Sequence, residues 1–286
     1  MRVSGFTFLR NGTMLGYPFI ESIQSVLPLC DEFVVNVGRG EDDTLERIRA
    51  IGSDKIRIIE SEWSSCQKTR GYVYGQQKMI AQFNCTGDWA FYLEGDEVVH
   101  EDDLPKIREA MERHLHDDEV EALVFDFLHF YGNANTYAWS PAWYRRAPRI
   151  IKCSVRSYAP DGLFWLVLAT NKGGRYPKAA QSGATIYHYG WVRPESRMNL
   201  KSLQVQRYWN KEHKPIDYSK IDSTILREFK GSHPQAVADW LEVSEGIFRA
   251  DPAYRPTKKE KRHRLMLKLE AWLGLELSKK HFKLVR

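Results

Sequence analysis

Three carboxylates within four residues are the feature of this sequence with the clearest chemical potential. They are Glu94, Asp96 and Glu97, and they directly follow the apolar stretch Trp89–Leu93. Burying so much like charge without compensation costs several kcal/mol, so we expect solvent or a cation to neutralise the group. Hard carboxylate oxygens suit Mg²⁺ or Mn²⁺, ions that keep positions open for water and substrate phosphate. A solvated turn that caps the following helix is the alternative interpretation.

The segments around these acids alternate between strand-like and helix-like patterns over the first 130 residues. Apolar strand patterns cover residues 4–9, 32–37, 55–60 and 89–93, with helical patterns between them. Strands that alternate with short helices predict crossover units and an α/β fold, with a mostly parallel sheet flanked by helices. Ligands of such sheets lie beyond the carboxyl ends of the strands. We therefore expect one rim to collect Arg10-Asn11, Asn36-Val37-Gly38, Ser61-Glu62-Trp63 and Glu94-Gly95-Asp96.

The pattern changes at about residue 131. Residues 131–194 are rich in Gly, Pro and aromatic residues, which predicts a smaller, loop-rich lobe lying over the rim of the sheet. Helical patterns follow at Glu195–Trp209 and Gln235–Arg249. We therefore predict an α/β half over residues 1–130, a lobe over 131–194 and C-terminal helices over 195–286, with residues 1–254 forming one integrated domain.

The positive charge of the chain is concentrated at its C-terminus. The formal net charge is +5, yet residues 255–286 hold eleven Lys or Arg against three acidic residues. The rest of the chain is therefore net negative, which argues against a nucleic-acid partner. The tail also contains Leu and Trp residues, and Gly274 divides it into two predicted short helices. A basic amphipathic segment over residues 257–286 can lie on an anionic membrane surface, and a docked helix pair with a solvated basic face is equally consistent.

Other features of the sequence exclude several classes of protein. No run approaches the ~18 consecutive apolar residues of a transmembrane helix. None of the four cysteines forms a Cys-x-x-Cys pair, so neither a structural zinc site nor a dithiol redox motif is indicated. The sequence starts with a strand pattern rather than an export signal. We therefore expect a cytoplasmic protein with reduced thiols, peripheral at most on the inner face of the membrane.

The acidic motif and several other segments resemble one enzyme family. An acidic-x-Asp motif that ends a strand is typical of GT-A fold glycosyltransferases, and roughly the first two-thirds of the chain is similar to their family 2-type members. The departures are Asn36 and Glu94, where the family more often has aspartate. The segments that carry the resemblance are Phe6–Asn11, Val34–Thr44, Thr86–Trp89, Leu93–Val98 and Ile186–Pro194.

This resemblance implies a transferase that moves a sugar from a nucleotide-diphosphate sugar to a hydroxyl acceptor, a glycan or a lipid-linked molecule, in surface glycan or polysaccharide biosynthesis. It implies a Mn²⁺ or Mg²⁺ cofactor held by Asp96, His188 and Glu94, which stabilises the charge on the departing nucleotide. The alternative for His188 is a histidine that only hydrogen-bonds within an aromatic cluster. The predicted contacts to the nucleotide sugar, besides Arg193, are Arg10, Asn11, Asn36, Lys78, Glu94 and Lys201.

An acceptor hydroxyl that attacks with inversion needs a general base. Asp161 is our first candidate, because it lies in the lobe expected to face the acceptor, close to Phe164 and Trp165, whose rings could stack on a sugar. Pro-Asp-Gly is also an ordinary turn sequence. Asp126, a polar residue within the apolar pattern Val124–Leu128, is the second candidate.

Two other functions are consistent with an α/β nucleotide-binding core. A sugar-1-phosphate nucleotidyltransferase would need a Gly-rich, basic phosphate loop after the first strand, whereas Leu9–Gly16 has two glycines and one arginine. A non-catalytic nucleotide- or sugar-binding module would bind nucleotide without a divalent metal and would turn over no donor.

Overall fold

Short helices and strands alternate along the computed structural model of the chain, which describes residues 1–209, 212, 215–241 and 246–285. The helices of this described part are α1 (Phe19–Val26), α2 (Thr44–Arg49), α3 (Tyr72–Gln82), α4 (Leu104–Arg113), α5 (Glu195–Trp209) and α6 (Lys258–Leu273). Its strands are β1 (Val3–Leu9), β2 (Glu32–Gly38), β3 (Ile56–Ser61), β4 (Trp89–Tyr92), β5 (Glu97–Val99), β6 (Ala122–Tyr131), β7 (Asn133–Ala138), β8 (Arg146–Lys152), β9 (Ser157–Tyr158), β10 (Leu166–Thr170), β11 (Gly173–Arg175), β12 (Lys178–Trp191), β13 (Leu226–Glu228) and β14 (Lys283–Leu284).

The first four strands run parallel to one another in the order β3-β2-β1-β4. The central strand β1 pairs on both sides, so that Phe6 lies opposite Val34 in β2 and opposite Tyr92 in β4. Strands β1, β2 and β4 are buried and largely apolar, as expected for parallel strands covered on both faces. The predicted α/β fold with helix-flanked parallel strands is confirmed.

Helices cover both faces of this parallel half. Phe19 of α1 and Ile107 of α4 belong to the same buried apolar cluster as Val35 of β2. Met79 of α3 belongs to a second cluster with Val34, the residue that precedes Val35 in the strand and points to the opposite face. The helices thus fix the sheet from both sides and leave the carboxyl ends of its strands at one edge.

The second half of the sheet mixes directions. Strand β8 runs antiparallel to both β4 and β6, and the long strand β12 pairs in parallel with β6 and antiparallel with β5. Three of the six strands within the predicted lobe, β7, β8 and β12, therefore belong to the main sheet, and β9–β11 form a small sheet of their own. The division at residue 131 stays a prediction, although β6 and β12 on either side of it are hydrogen-bonded neighbours.

The C-terminal segments agree with the sequence predictions in part. The helix predicted at Glu195–Trp209 is α5, and the first predicted tail helix is α6, which ends where Gly274 adopts a φ of 63°. The predicted second tail helix is wrong for the described residues 275–285, because this segment extends and pairs β14 with β12. The helix predicted over 235–249 is reduced to a 3₁₀ turn at Gln235–Val237, and residues 242–245 lie outside the described residues.

None of the described helices combines the length and the apolar character that a bilayer span requires.

Candidate functional site

A cavity of about 250 Å³ opens at the carboxyl ends of β1 and β4. The end of β1 contributes Phe8 to Arg10, and the segment after β4 contributes Glu94 to Asp96. Helix α5 forms much of another wall, from Lys201 to Trp209. The cavity therefore lies where ligands of parallel sheets bind. Much of its lining is aromatic, which suits flat ligands: Phe8, Tyr17, Trp63, Tyr74, Tyr92, Tyr208 and Trp209.

Gly95 allows the acidic segment to approach β1 closely. A Cβ atom on residue 95 would lie 2.6 Å from Leu9 Cδ2, so any side chain at this position would have to displace Leu9. Thr7 Oγ1 donates a hydrogen bond of 2.7 Å to the carbonyl oxygen of Leu93, which ties the two strand ends together. The chain therefore turns against β1 and brings Asp96 to the cavity.

Asp96 is nearly inaccessible, with 2% of its surface exposed, and basic groups surround it. Its Oδ2 accepts hydrogen bonds from Lys201 Nζ at 3.0 Å and from Arg193 Nη2 at 3.1 Å. His188 Nε2 lies 3.6 Å from Oδ1. Burial acts to raise the pKa of Asp96, but Lys201, His188 and Arg193 together hold that pKa well below its usual range. Asp96 is therefore an ionised carboxylate with cations at one oxygen and a histidine at the other.

The pairing of β12 explains why His188 reaches Asp96. Strand β12 lies between β5 and β6, and His188 is opposite Glu97 on one side and His129 on the other. Tyr189 N donates a hydrogen bond of 2.8 Å to the carbonyl oxygen of Asp96, which fixes the acidic segment against β12. Arg193 and Lys201 follow shortly after this strand, so residues 188–201 supply all three basic groups around one carboxylate.

His129 determines which nitrogen of His188 faces Asp96. Burial and the neighbouring His188 lower the pKa of His129 well below its usual range, so its ring is neutral. Its Nε2 lies 2.6 Å from the carbonyl oxygen of Tyr144, which can only accept, so Nε2 carries the proton and Nδ1 is an acceptor. His188 Nδ1 lies 2.8 Å from that Nδ1 and therefore donates to it. Nε2 of His188 is therefore the nitrogen that faces Asp96.

Arg149 contacts the other two carboxylates of the motif. It donates to the fully buried Glu97 through Nε at 2.7 Å and Nη2 at 2.5 Å, and Nη2 also lies 3.3 Å from Glu94 Oε1. Glu94 lines the cavity and keeps 27% of its side chain exposed. Burial and the charge of Glu97 raise the pKa of Glu94 to about 7 despite Arg149. The cation beside Glu97 and Glu94 is thus a guanidinium of the chain itself, whereas the sequence predicts a divalent metal ion for this motif.

If a divalent ion binds at this site, Asp96 and His188 are the residues that would hold it, since Asp96 Oδ1 and His188 Nε2 lie 3.6 Å apart. Gly190 keeps the adjoining space open, because a Cβ there would lie 2.6 Å from His188 Nε2 and 3.3 Å from Asp96 Oδ2. Ligating histidines also typically donate their other ring N–H, as His188 does to His129. Within the described residues, no three His, Cys, Asp or Glu side chains converge, so water and substrate phosphate would complete the coordination.

Three more of the predicted residues line the same cavity. Arg10 donates a hydrogen bond of 3.1 Å to the hydroxyl of Tyr208. Asp161 is half-buried, accepts from Leu163 N at 3.0 Å, and has its pKa raised by burial. Glu94 is the third, beside its arginine partner. The structure brings these groups together with the basic cluster, and their roles as phosphate contact, base and metal ligand stay predictions.

Lys78 and Asn36 are buried and do not line the cavity. Lys78 Nζ donates a hydrogen bond of 3.0 Å to the carbonyl oxygen of Gly162 and lies 3.7 Å from the ring centre of Tyr92. Burial lowers the pKa of Lys78 well below its usual range. Asn36 donates to the backbone and side chain of Gln77 at 2.8 and 2.9 Å, and its Oδ1 has no partner among the residues described. Lys78 thus fixes a loop of the cavity and Asn36 fixes α3, so neither makes the predicted direct contact in this arrangement.

Asn11 and Asp126 also lie outside the cavity lining. Asn11 adopts a φ of 55°, and its Oδ1 accepts from Glu41 N at 2.8 Å, so it shapes the turn after β1. Asp126 is exposed on β6 and lines a separate groove with Arg146 and Glu276. Because it does not reach the cavity, Asp126 is withdrawn as a candidate base.

The sequence leaves other parts of the site unmarked. Nothing in it indicates Arg149 or His129, since the partners of both residues are distant in the chain. For the aromatic walls of the cavity, the sequence places Trp63 at the rim of the sheet but does not say which other rings form them. Trp165 cannot stack on a sugar as predicted, because it is fully buried and donates through Nε1 to Gln82 Oε1.

No protein-family model matches the chain, and no curated protein sequence matches it. Among solved structures it is similar to S. aureus TarS 1–349 in complex with UDP, with 16% identity and a TM-score of 0.41 over 71% of this chain and 65% of that chain. Against a longer S. aureus TarS structure the values are 15% and 0.39, and the match covers only 39% of that chain.

A further similar structure is glucosyl-3-phosphoglycerate synthase from Mycobacterium tuberculosis in complex with Mn²⁺, UDP and glucosyl-3-phosphoglycerate. It is 19% identical with a TM-score of 0.32, over 46% of this chain and 45% of that chain. These structures belong to the GT-A glycosyltransferases, the group that the sequence resembles. At such identities and TM-scores they identify no residue of the site.

Proposed function

We propose that the chain is a glycosyltransferase that moves a sugar from a nucleotide-diphosphate sugar to a hydroxyl acceptor. The observation that carries the proposal is the setting of Asp96, a buried carboxylate at an aromatic cavity, with Lys201 and Arg193 at one oxygen and His188 at the other. A departing nucleotide diphosphate accumulates negative charge, and preorganised cations stabilise it best in a site shielded from water. The Asp96 cluster supplies such charge at the strand ends.

The cavity walls suit the rest of such a donor. The rings of Trp63, Tyr74 and Tyr208 make mutual edge contacts, with centres 5.4 to 5.8 Å apart. Aromatic faces in this arrangement can stack on a nucleotide base or a sugar ring. Arg10 and Lys201 line the cavity among these rings and provide positive charge for the diphosphate.

A divalent ion, Mn²⁺ or Mg²⁺, belongs to the proposal at Asp96 Oδ1 and His188 Nε2. When bound, such an ion supplies Lewis-acid stabilisation of the leaving diphosphate. Lys201 and Arg193 keep Asp96 ionised and oriented, and His129 keeps Nε2 of His188 turned toward it. Glu94 is proposed to act from the cavity wall, where its contact with Arg149 limits its direct access to the metal.

Asp161 is the proposed base for the acceptor hydroxyl. It lines the cavity, and its pKa is raised by burial, which makes it a stronger proton acceptor than an exposed aspartate. Leu163 N holds its Oδ1, and Lys78 holds the carbonyl of the adjacent Gly162, so the carboxylate is positioned from two sides. We propose a glycan or a lipid-linked molecule as the acceptor, in surface glycan or polysaccharide biosynthesis.

Thermal unfolding with UDP, GDP, CMP and dTDP, each with and without Mn²⁺, tests the donor and metal parts of the proposal. One nucleotide should raise the melting temperature, and Mn²⁺ should enlarge that rise. Asp96→Asn should remove the metal-dependent part, whereas Asp118→Asn, at an exposed position, should retain it. If the nucleotide raises the melting temperature of the wild type equally with and without Mn²⁺, and no sugar donor is turned over, the chain is instead a binding module.

Turnover separates the remaining alternatives. With the matching nucleotide sugar, Asp161→Asn should slow transfer by about 10²–10⁴-fold while nucleotide binding persists, because a general base contributes about that much. Asp126→Asn should transfer at the wild-type rate. The chain would instead be a nucleotidyltransferase if it consumes a nucleoside triphosphate together with a sugar 1-phosphate but does not consume the nucleotide sugar in the presence of an acceptor. That result would contradict the proposal.

A further inference from the structure

Helix α6 exposes a row of large apolar side chains. Leu265, Leu269 and Trp272 follow one another at spacings of four and three residues, so they share one face of the helix. Their exposed fractions are 59%, 38% and 81%. Fourteen large apolar side chains of the described residues are exposed in this way, and half of them lie between residues 265 and 284. Such a concentration differs from scattered surface apolar residues and indicates an interaction surface.

The inner side of the same helix is held by charged groups. Glu270 is buried and accepts from Arg145 Nη2 at 2.5 Å. Arg264 donates two hydrogen bonds to the carboxylate of Asp222, from Nε at 2.5 Å and from Nη2 at 2.6 Å. An amphipathic helix normally turns its apolar face inward and its charges outward. Here these ion pairs fix the rotation of α6 with the row Leu265–Trp272 facing solvent.

The segment after α6 continues this surface. Leu275 and Leu277 are 58% and 37% exposed, and Leu284 is 41% exposed. Glu276 between the first two pairs with Arg146 through two hydrogen bonds, which anchors the backbone and leaves the flanking leucines outward. We call the exposed side chains of residues 258–284 the tail surface.

The charge of the tail surface is of one sign. Its three acids are all engaged: Glu260 in the capping box with Thr257, Glu270 with Arg145, and Glu276 with Arg146. The exposed charged residues that remain are basic: Lys258, Lys259, Lys261, Arg262, Lys268, Lys279 and Lys283. The tail surface therefore presents apolar side chains surrounded by positive charge.

We propose that the tail surface binds the surface of an anionic lipid bilayer. Leu and Trp side chains on a basic helix are the composition that settles at the boundary between headgroups and acyl chains, and each Lys or Arg near an anionic leaflet adds attraction. The chain would lie on the membrane, with Trp272 at the depth of the headgroups. A second copy is a poorer partner, because two identical basic surfaces would repel each other. A nucleic acid would leave the leucines without a partner.

Flotation with lipid vesicles tests this proposal in the full chain. Binding should be strong to vesicles of phosphatidylglycerol and phosphatidylcholine, weak to phosphatidylcholine alone, and reduced by salt. Leu269→Ser with Trp272→Ser should lower vesicle affinity at least tenfold. Phe83→Ser removes an equally exposed aromatic residue, 73% accessible, outside the tail surface and should bind as the wild type does.

Quenching by brominated phosphatidylglycerol gives a second measurement with a conservative variant. Wild-type fluorescence should fall in these vesicles, and Trp272→Phe should lose most of that quenching while it still floats with the vesicles. Equal binding to neutral and anionic vesicles, equal quenching of Trp272→Phe, or dimers with no vesicle binding would each overturn the proposal. No donor enters either experiment, so the result is independent of the proposed enzymatic function.

Discussion

Asp96 and Glu97 are adjacent in the chain, and both carboxylates are buried, yet their surroundings differ. Glu97 is closed off: its side chain and that of Arg149 are 0% and 2% exposed, and their two hydrogen bonds satisfy each other. Asp96 opens to the cavity through Lys201, whose side chain is 24% exposed, and through the space beside Gly190. Asp96 lies in the turn before β5, whereas Glu97 is the first residue of that strand, and their side chains meet different partners: a basic cluster that can meet a ligand and a supporting ion pair.

The comparison shows that burial of a charge does not by itself mark a functional group. The pair of Glu97 and Arg149 is complete without any ligand, and its role is to fix β5 against β8. The cluster at Asp96 contains more positive groups than one carboxylate requires, because Arg193 and Lys201 share a single oxygen and His188 stands at the other. The positive excess is what a diphosphate would meet.

The largest expected effect is on stability, at the closed pair. Arg149→Met should lower the free energy of unfolding by about 3–5 kcal/mol, because it leaves Glu97 buried without its partner. Urea unfolding followed by circular dichroism measures this loss. The double variant Arg149→Met with Glu97→Leu should be more stable than the single variant. If the free energy of unfolding of the single variant lies within ~1 kcal/mol of the wild-type value, Glu97 does not depend on Arg149 as its only buried partner.

The next effect concerns metal affinity at the open cluster. His129→Phe removes the acceptor that orients His188, so the dissociation constant for Mn²⁺ should rise by about 10–100-fold, as for other groups behind a ligating histidine. Electron paramagnetic resonance, which detects free Mn²⁺, measures this dissociation constant. His116→Phe, at an exposed position, serves as the control. If His129→Phe binds Mn²⁺ as tightly as the wild type does, His129 does not contribute to metal binding.

The smallest expected effect comes from the cation that faces the cavity. Lys201→Met should weaken binding of the matching nucleoside diphosphate by about tenfold, the size of one charge-assisted hydrogen bond. The corresponding monophosphate should lose less, and the free energy of unfolding should change little because Arg193 still donates to Asp96 Oδ2. Calorimetric titration measures both ligands, with Lys220→Met, 66% exposed, as the control. Equal losses for the two nucleotides would place Lys201 away from the diphosphate.

The parts of the molecule that the sequence predicts are those encoded by neighbouring residues. The parallel half follows from apolar runs separated by amphipathic helices, and Asp96 and His188 belong to continuous motifs. Arg149 and His129 are not predictable in this way, because their partners lie 52 and 59 residues away, and only the pairing of β6 with both β8 and β12, and of β12 with β5, brings them together. Asp126 shows the opposite error, since a polar residue in an apolar strand can simply face solvent.

Helix α5 carries Lys201 at one part of the cavity and Tyr208 and Trp209 at another, and the carbonyl oxygen of Tyr208 accepts from Gly71 N at 2.9 Å. A rigid displacement of this helix would withdraw the ammonium from Asp96 and remove the aromatic wall in the same motion. Opening the cavity and weakening its attraction for an anion are therefore mechanically coupled. Such coupling would let a product nucleotide leave the cavity without a separate step that first breaks its attraction to Lys201.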